Sequence, residues 1–157
     1  PRNRFMVDPP QNLLLAEFLP YQLSIASNAV SDRIAQVYRS RFALKIPEWR
    51  IMAVLGDAGA QTQRDLAAAT LMDKVAVNRA CKTLEARGLV NREPNARDGR
   101  SHHLALTSEG RAMYDRIVPL ALDMERRLFA PLGEEERATF ARLLARVRGR
   151  AGETDAI

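Results

Sequence analysis

A chain of 157 residues can form one domain or two small ones, and with 46% hydrophobic and 27% charged residues it has material for both a core and a solvated surface. Its formal charge of +5 favours an anionic partner such as nucleic acid. A single cysteine, Cys81, excludes an intramolecular disulfide and fits a reducing cytoplasm, and no apolar run is long enough to span a bilayer.

The leader "PRNRFMVDPPQN" lacks the apolar core and cleavage site of a signal peptide, so none is expected. Beyond Pro9-Pro10 a helical pattern begins and is interrupted at Pro20. From Tyr21 to Phe42, Leu23, Val30, Ile34 and Val37 recur at helical spacing. "IPEWRIMAVLGDAG" reads as a short helix, with Pro47 in its first turn and Gly56 and Gly59 weakening its far end.

The next stretch, "TQRDLAAATLMDKVAVNRACKTLEARGLV", reads as helix, turn, helix. Thr62 and Asp65 have capping-box spacing, with Asp replacing the usual Glu. Residues 70–72 form the turn, Asp73 caps a second helix running to Arg87, and Gly88 stands where a left-handed C-terminal cap belongs. Val77, Cys81 and Leu84 give the second helix its apolar stripe.

Two strand-like runs, "LVNRE" and "SHHLAL", then enclose a basic tip, giving a two-stranded hairpin. Thr107-Ser108 opens a long helix with Met113, Ile117, Leu120 and Met124 on one face, bent at Pro119. After Leu132-Gly133 comes a last helix, acidic at its start and basic towards its end, as the helix dipole favours. Its buried face is expected to be Phe140, Leu143, Leu144 and Val147.

Helix, turn, helix and basic hairpin make a winged helix-turn-helix, so the fold class is mainly α with a small β-hairpin wing and a helical dimerisation region. The whole chain, 1–157, reads as one domain. Its head is 47–106, and 11–45 with 108–149 form the dimerisation region. An α-helix fits the DNA major groove. Lys74, Val75, Asn78 and Lys82 lie opposite the apolar stripe of the second helix, with Arg79 at the margin. Asn pairs bidentately with adenine, Lys reaches guanine or phosphate, and Val75 suits a thymine methyl. Thr62, Gln63 and Arg64 stand at a helix N-terminus and suit phosphate.

In the wing, Arg97 or Arg100 is expected to enter the minor groove, Asp98 to hold the other guanidinium, and Arg92 to meet the DNA backbone. From Gln61 to Arg100, eight basic residues against five acidic ones give net +3 of the total +5. A charged helix face taken alone is usually plain solvation. The ordered set of caps, stop and Arg-Asp-Gly-Arg tip is much less probable by chance.

Three stretches, "KTLEARGLV" (82–90), "DGRSHHLAL" (98–106) and "LTSEGR" (106–111), resemble the MarR family of bacterial transcriptional regulators, and the likeness runs from about Leu13 to Val147. The resemblance implies a homodimer of winged helices on a pseudo-palindromic operator, released by a small ligand. It matches Asn78-Arg79 to the recognition-helix pair and Asp98 with Arg100 to the wing's D-x-R. The family often carries Ser or Thr at the position of Asn78, so the operator cannot be borrowed from a relative.

The apolar stripes outside the head independently favour a second copy, with two recognition helices about 34 Å apart. Ser24, Asn28 and Ser31 on one helix, Trp49 and Arg50 on the next, and Met113 and Ile117 on the long helix suit an aromatic or acidic effector. The run "SNAVSDRIAQVY…RFALKIPEWRIMAVL" is similar to a MarR subgroup that controls aromatic-acid catabolism. Some of that subgroup respond to hydroxycinnamoyl-coenzyme A thioesters, which implies an aryl-CoA effector with Arg50 near its phosphates.

Enzyme function is not expected. His102 and His103 alternate across a strand and cannot easily share a site, and no HExxH, CxxC, GxSxG or P-loop pattern occurs. No cofactor or metal is expected. Cys81, on an apolar face, reads as a core thiol rather than a redox sensor. The alternatives to a regulator are an architectural DNA-binding protein and a partner-binding winged helix.

Overall fold

The computed structural model describes residues 12–97 and 99–153. The chain divides into two compact units at Ile46–Pro47. The first unit holds a 3-10 turn, Leu15–Glu17, and helix α1, Leu19–Phe42. Pro20 does not interrupt α1. It sits in the first turn, where no N–H is needed. Ala43 closes α1 in the left-handed conformation (φ 51°), donating its N–H to Arg39 O at 3.1 Å. Tyr38 and Phe42 are buried at this end, whereas the apolar residues towards the N-terminal end, among them Leu19, Leu23 and Ile25, are exposed.

The second unit contains α2 (Ile46–Ala58, whose first residue lies just before the boundary), β1 (Gln61–Thr62), α3 (Gln63–Thr70), α4 (Lys74–Ala86), β2 (Val90–Pro94), β3 (His102–Leu106), α5 (Ser108–Leu128) and α6 (Glu134–Gly152). The sheet is antiparallel in the order β1-β3-β2. Gln61 pairs with Leu104, and Arg92 also faces Leu104 across the other edge. The wing therefore has three strands rather than the expected two. A two-residue strand carries no alternation to read, so β1 exists only through its partner β3.

The core of this unit is Ile51, Met52 and Leu55 of α2, Leu66 of α3, Val77, Cys81 and Leu84 of α4, Leu104 of β3 and Ile117 of α5. Gly56 remains helical within α2 rather than ending it. A β-carbon there would overlap the ring of Tyr114, so the glycine admits that ring against the helix. Gly59 (φ 79°) is the actual stop. Helix α5 runs through Pro119 without interruption.

Helix α6 departs from expectation. Glu136 caps its start by accepting the Gly133 N–H at 3.1 Å, but the helix has no buried residue. Phe140, Leu143, Leu144 and Val147 are 41%, 45%, 38% and 56% exposed. Periodicity gives the apolar stripe and its angular width, but not the presence of a partner surface within one chain.

Candidate nucleic-acid interface

The head is assembled by local caps. Thr62 Oγ1 accepts the Asp65 N–H at 3.1 Å and an Asp65 carboxylate oxygen accepts the Thr62 N–H at 3.3 Å, completing the capping box of α3. Asp73 Oδ1 accepts the Ala76 N–H at 2.8 Å and starts α4. Between them Leu71 takes the left-handed turn position at φ 54°. Gly88 (φ 70°) ends the segment after α4. It carries the chain straight into β2.

Helix α4 buries Val77, Ala80, Cys81 and Leu84. Lys74, Val75, Asn78, Arg79 and Lys82 are exposed, all five as expected from their register. A groove of about 390 Å³ runs between the starts of α3 and α4, lined by Gln63, Arg64, Lys74 and Val77. Two cationic side chains thus border the gap at the N-termini of two helices, where backbone N–H groups also favour anions.

Other expected site residues have assigned partners. The Gln63 Nε2 amide donates to Asn78 Oδ1 at 3.4 Å, joining α3 to α4. Arg92, on β2, donates to Glu85 of α4 from Nε at 2.9 Å and from Nη2 at 2.7 Å. This partly exposed pair ties the reading helix to the wing, and the Glu85 carboxylate raises the guanidinium's pKa further. At the tip, Asn95 Oδ1 accepts the Arg97 N–H at 3.0 Å, an Asx turn that shapes the bend. Arg97 and Arg100 are exposed. Asp98, the expected clamp, lies outside the described residues.

The residues expected to bind an effector are distributed over both units. Ser24 and Asn28 are exposed on α1 and Ser31 is half-buried. On α2, Trp49 is half-buried and Arg50 exposed. Trp49 stacks with Tyr114 of α5, centroids 6.0 Å apart, and the Arg111 guanidinium lies 5.2 Å from the Tyr114 centroid. Sequence reasoning missed Tyr114 and Arg111, since neither the stack nor the cation contact has a local signature. Met113 is half-buried and Ile117 is fully buried in the core.

Cys81 is buried, and burial pushes its thiol pKa up, opposed by a hydrogen bond from Gln63. Among the described residues no cluster of His, Cys, Asp or Glu is arranged to hold a metal. No described helix is long and apolar enough to cross a membrane.

The MarR family model matches residues 44–101, covering α2 through the wing tip. The HTH-type transcriptional regulator PecS of Dickeya dadantii is 30% identical over 119 residues, spanning 74% of this chain and 72% of PecS. The chain belongs to the MarR family. It is a MarR-family transcriptional regulator with a winged helix-turn-helix fold. The HTH-type transcriptional repressor NicR of Pseudomonas putida is 29% identical over 96 residues, 61% of either chain. The structure of Bordetella bronchiseptica BpsR, whose DNA binding is regulated by 6-hydroxynicotinic acid, matches with TM-score 0.80 at 25% identity. That match covers 89% of this chain and 98% of BpsR.

Proposed function

We propose that this MarR-family member acts as a homodimer that represses transcription from a pseudo-palindromic operator and is released by a small ligand. The observation that carries DNA reading is the division of α4. One face is packed in the core, and the other leaves Lys74, Val75, Asn78, Arg79 and Lys82 open to solvent. In this reading α4 enters the major groove, and Asn78 pairs with a base. Arg64, Gln63 and the Thr62 hydroxyl face phosphate at the start of α3. Arg97 or Arg100 enters the minor groove. Arg92 meets the backbone only at the edge of its pair with Glu85, which makes its main duty the fixing of wing against α4.

The uncovered apolar side chains of α6 support dimerisation, since an isolated helix face of this kind gains most by burial against a second copy. Leu143→Glu with Val147→Glu is expected to yield monomers in analytical ultracentrifugation. Repression is supported by likeness to NicR, and ligand release by likeness to BpsR. The effector reading centres on the Trp49–Tyr114 stack with Arg111, and on Met113 and Arg50, a set suited to an aromatic acid or its CoA thioester. Footprinting of selected genomic fragments tests the central reading. Twofold protected sites over a weak salt-sensitive background are expected, and uniform protection would overturn it.

A further inference from the structure

The β2–β3 ladder ends with Pro94 opposite His102. Pro94 has no N–H to give, and Asn95 supplies a further rung beyond it. Its main-chain N–H donates to Ser101 O at 3.0 Å. The half-buried side chain of Asn95 then uses both ends of its amide. Oδ1 accepts the Arg97 N–H at 3.0 Å, and Nδ2 donates to Ser101 Oγ at 3.1 Å. A main-chain N–H can only donate, so the amide oxygen must be the end that faces Arg97. The nitrogen is left for the Ser101 hydroxyl, which accepts. The partners themselves fix the orientation of this amide.

Both wing arginines spring from this brace. Arg97 is held through its own N–H, and Arg100 directly precedes Ser101. The side chains of both are exposed. The main chain at either end of residues 96–100 is thus tied by Asn95 before any DNA is present. An unbraced tip samples many backbone states, and ordering it on DNA lowers affinity. A braced tip has lost that freedom on folding.

We infer that Asn95 is a positioning residue for minor-groove reading: it holds the wing tip in the shape that presents Arg97 and Arg100, without itself touching DNA. This rests on the reading that a wing arginine enters the minor groove. A narrow A·T-rich groove carries the more negative potential, and an inserted guanidinium gains from it. A tip of fixed shape places the guanidinium there at no further ordering cost. A loose tip also allows contact with phosphates outside the groove, where A·T and G·C flanks differ little. Loss of the brace therefore lowers preference for A·T flanks as well as affinity.

The test uses the full chain and an operator recovered by selection of genomic fragments, with identical half-sites and either A·T or G·C flanks. Wild type should prefer A·T flanks, and Arg97→Ala with Arg100→Ala should abolish the preference. Asn95→Ala should weaken binding to the A·T-flanked operator by about three- to tenfold and lower the A·T-to-G·C ratio. In the background lacking both arginines it should have no further effect. Asn95→Asp is the conservative variant. Its carboxylate still accepts the Arg97 N–H, and the Ser101 hydroxyl can turn to donate to it. The added charge should weaken binding to both operators alike while the ratio stays at the wild-type value. Ser101→Ala, a milder change, leaves the Arg97 turn and the main-chain rung in place, and its ratio should lie between those of wild type and Asn95→Ala. A wild-type ratio in both Asn95→Ala and Ser101→Ala, with the arginine variant still flattened, overturns the inference and leaves minor-groove reading intact. So does an equal loss from Asn95→Ala in the arginine-free background, which would make Asn95 a DNA contact, or a ratio in Asn95→Asp as low as in Asn95→Ala. If the arginine variant keeps the wild-type ratio, minor-groove reading fails, and the inference falls with it.

Discussion

Gly110, on the first turn of α5, lies against the main-chain carbonyl of Leu89, where an added β-carbon would overlap the carbonyl oxygen. Two further bonds draw these segments together. Thr107 Oγ1 donates to Gly88 O at 2.6 Å, and the Thr107 N–H donates to Leu89 O at 3.1 Å. Thr107 also caps α5 by accepting the Gly110 N–H at 3.0 Å. The "RGLV" before the wing and the "LTSEG" after it are thus two sides of one joint. The wing leaves and re-enters the head at that joint.

Gly110→Ala tests the joint. Alanine is favoured over glycine inside a helix by about 1 kcal/mol. Backbone overlap opposes this, and overpacking costs about 1–3 kcal/mol or more where the obstacle is main chain rather than a mobile side chain. The clash should win, giving a net loss of about 1–2 kcal/mol in denaturant unfolding at fixed protein concentration. Unchanged or increased stability would mean that the approach of α5 to Leu89 is looser than described.

Tyr38 should make stability fall at high pH. Burial raises its phenol pKa from 10.0 to about 12. The neutral form is therefore favoured by folding, and its contribution is complete below pH 10. It is lost as pH rises through about 12, since the unfolded chain releases the proton first. Unfolding profiles of wild type and Tyr38→Phe should converge in slope below pH 10 and diverge above it. Parallel profiles throughout would deny Tyr38 this role.

Cys81 should be inert in the folded protein. Its thiol is buried, and desolvation raises its pKa, so the reactive thiolate is scarce at neutral pH. A thiol-labelling reagent should modify it only after denaturant is added, and peroxide should leave DNA binding unchanged. Labelling of native protein at the rate of a free thiol would contradict this.

The exposed cations should separate into two behaviours. Lys82→Ala is expected to weaken all DNA sequences alike and lower the salt slope by about one. Arg100→Ala is expected to reduce preference for A·T pairs beside the half-site. Asn78→Ala should cost about 1–3 kcal/mol at one base position. Three variants with wild-type operator affinity would displace the interface from α4 and the wing.

The chain order of the helices, the capping box at Thr62 and Asp65, the Asp73 cap, the left-handed Gly88 and the exposed register of Asn78 and Lys82 were all legible in the sequence. Each depends on residues within about one helical turn of one another, where side-chain chemistry and 3.6-residue periodicity act directly. Tertiary structure alone decided that β1 adds a third strand, that Gly56 receives Tyr114, that Arg92 pairs with Glu85 and that Gln63 meets Asn78. It also decided that the apolar side chains of α6 remain uncovered within one chain. These relationships join separate elements, and their geometry follows from how helices and strands pack, which local propensity does not encode.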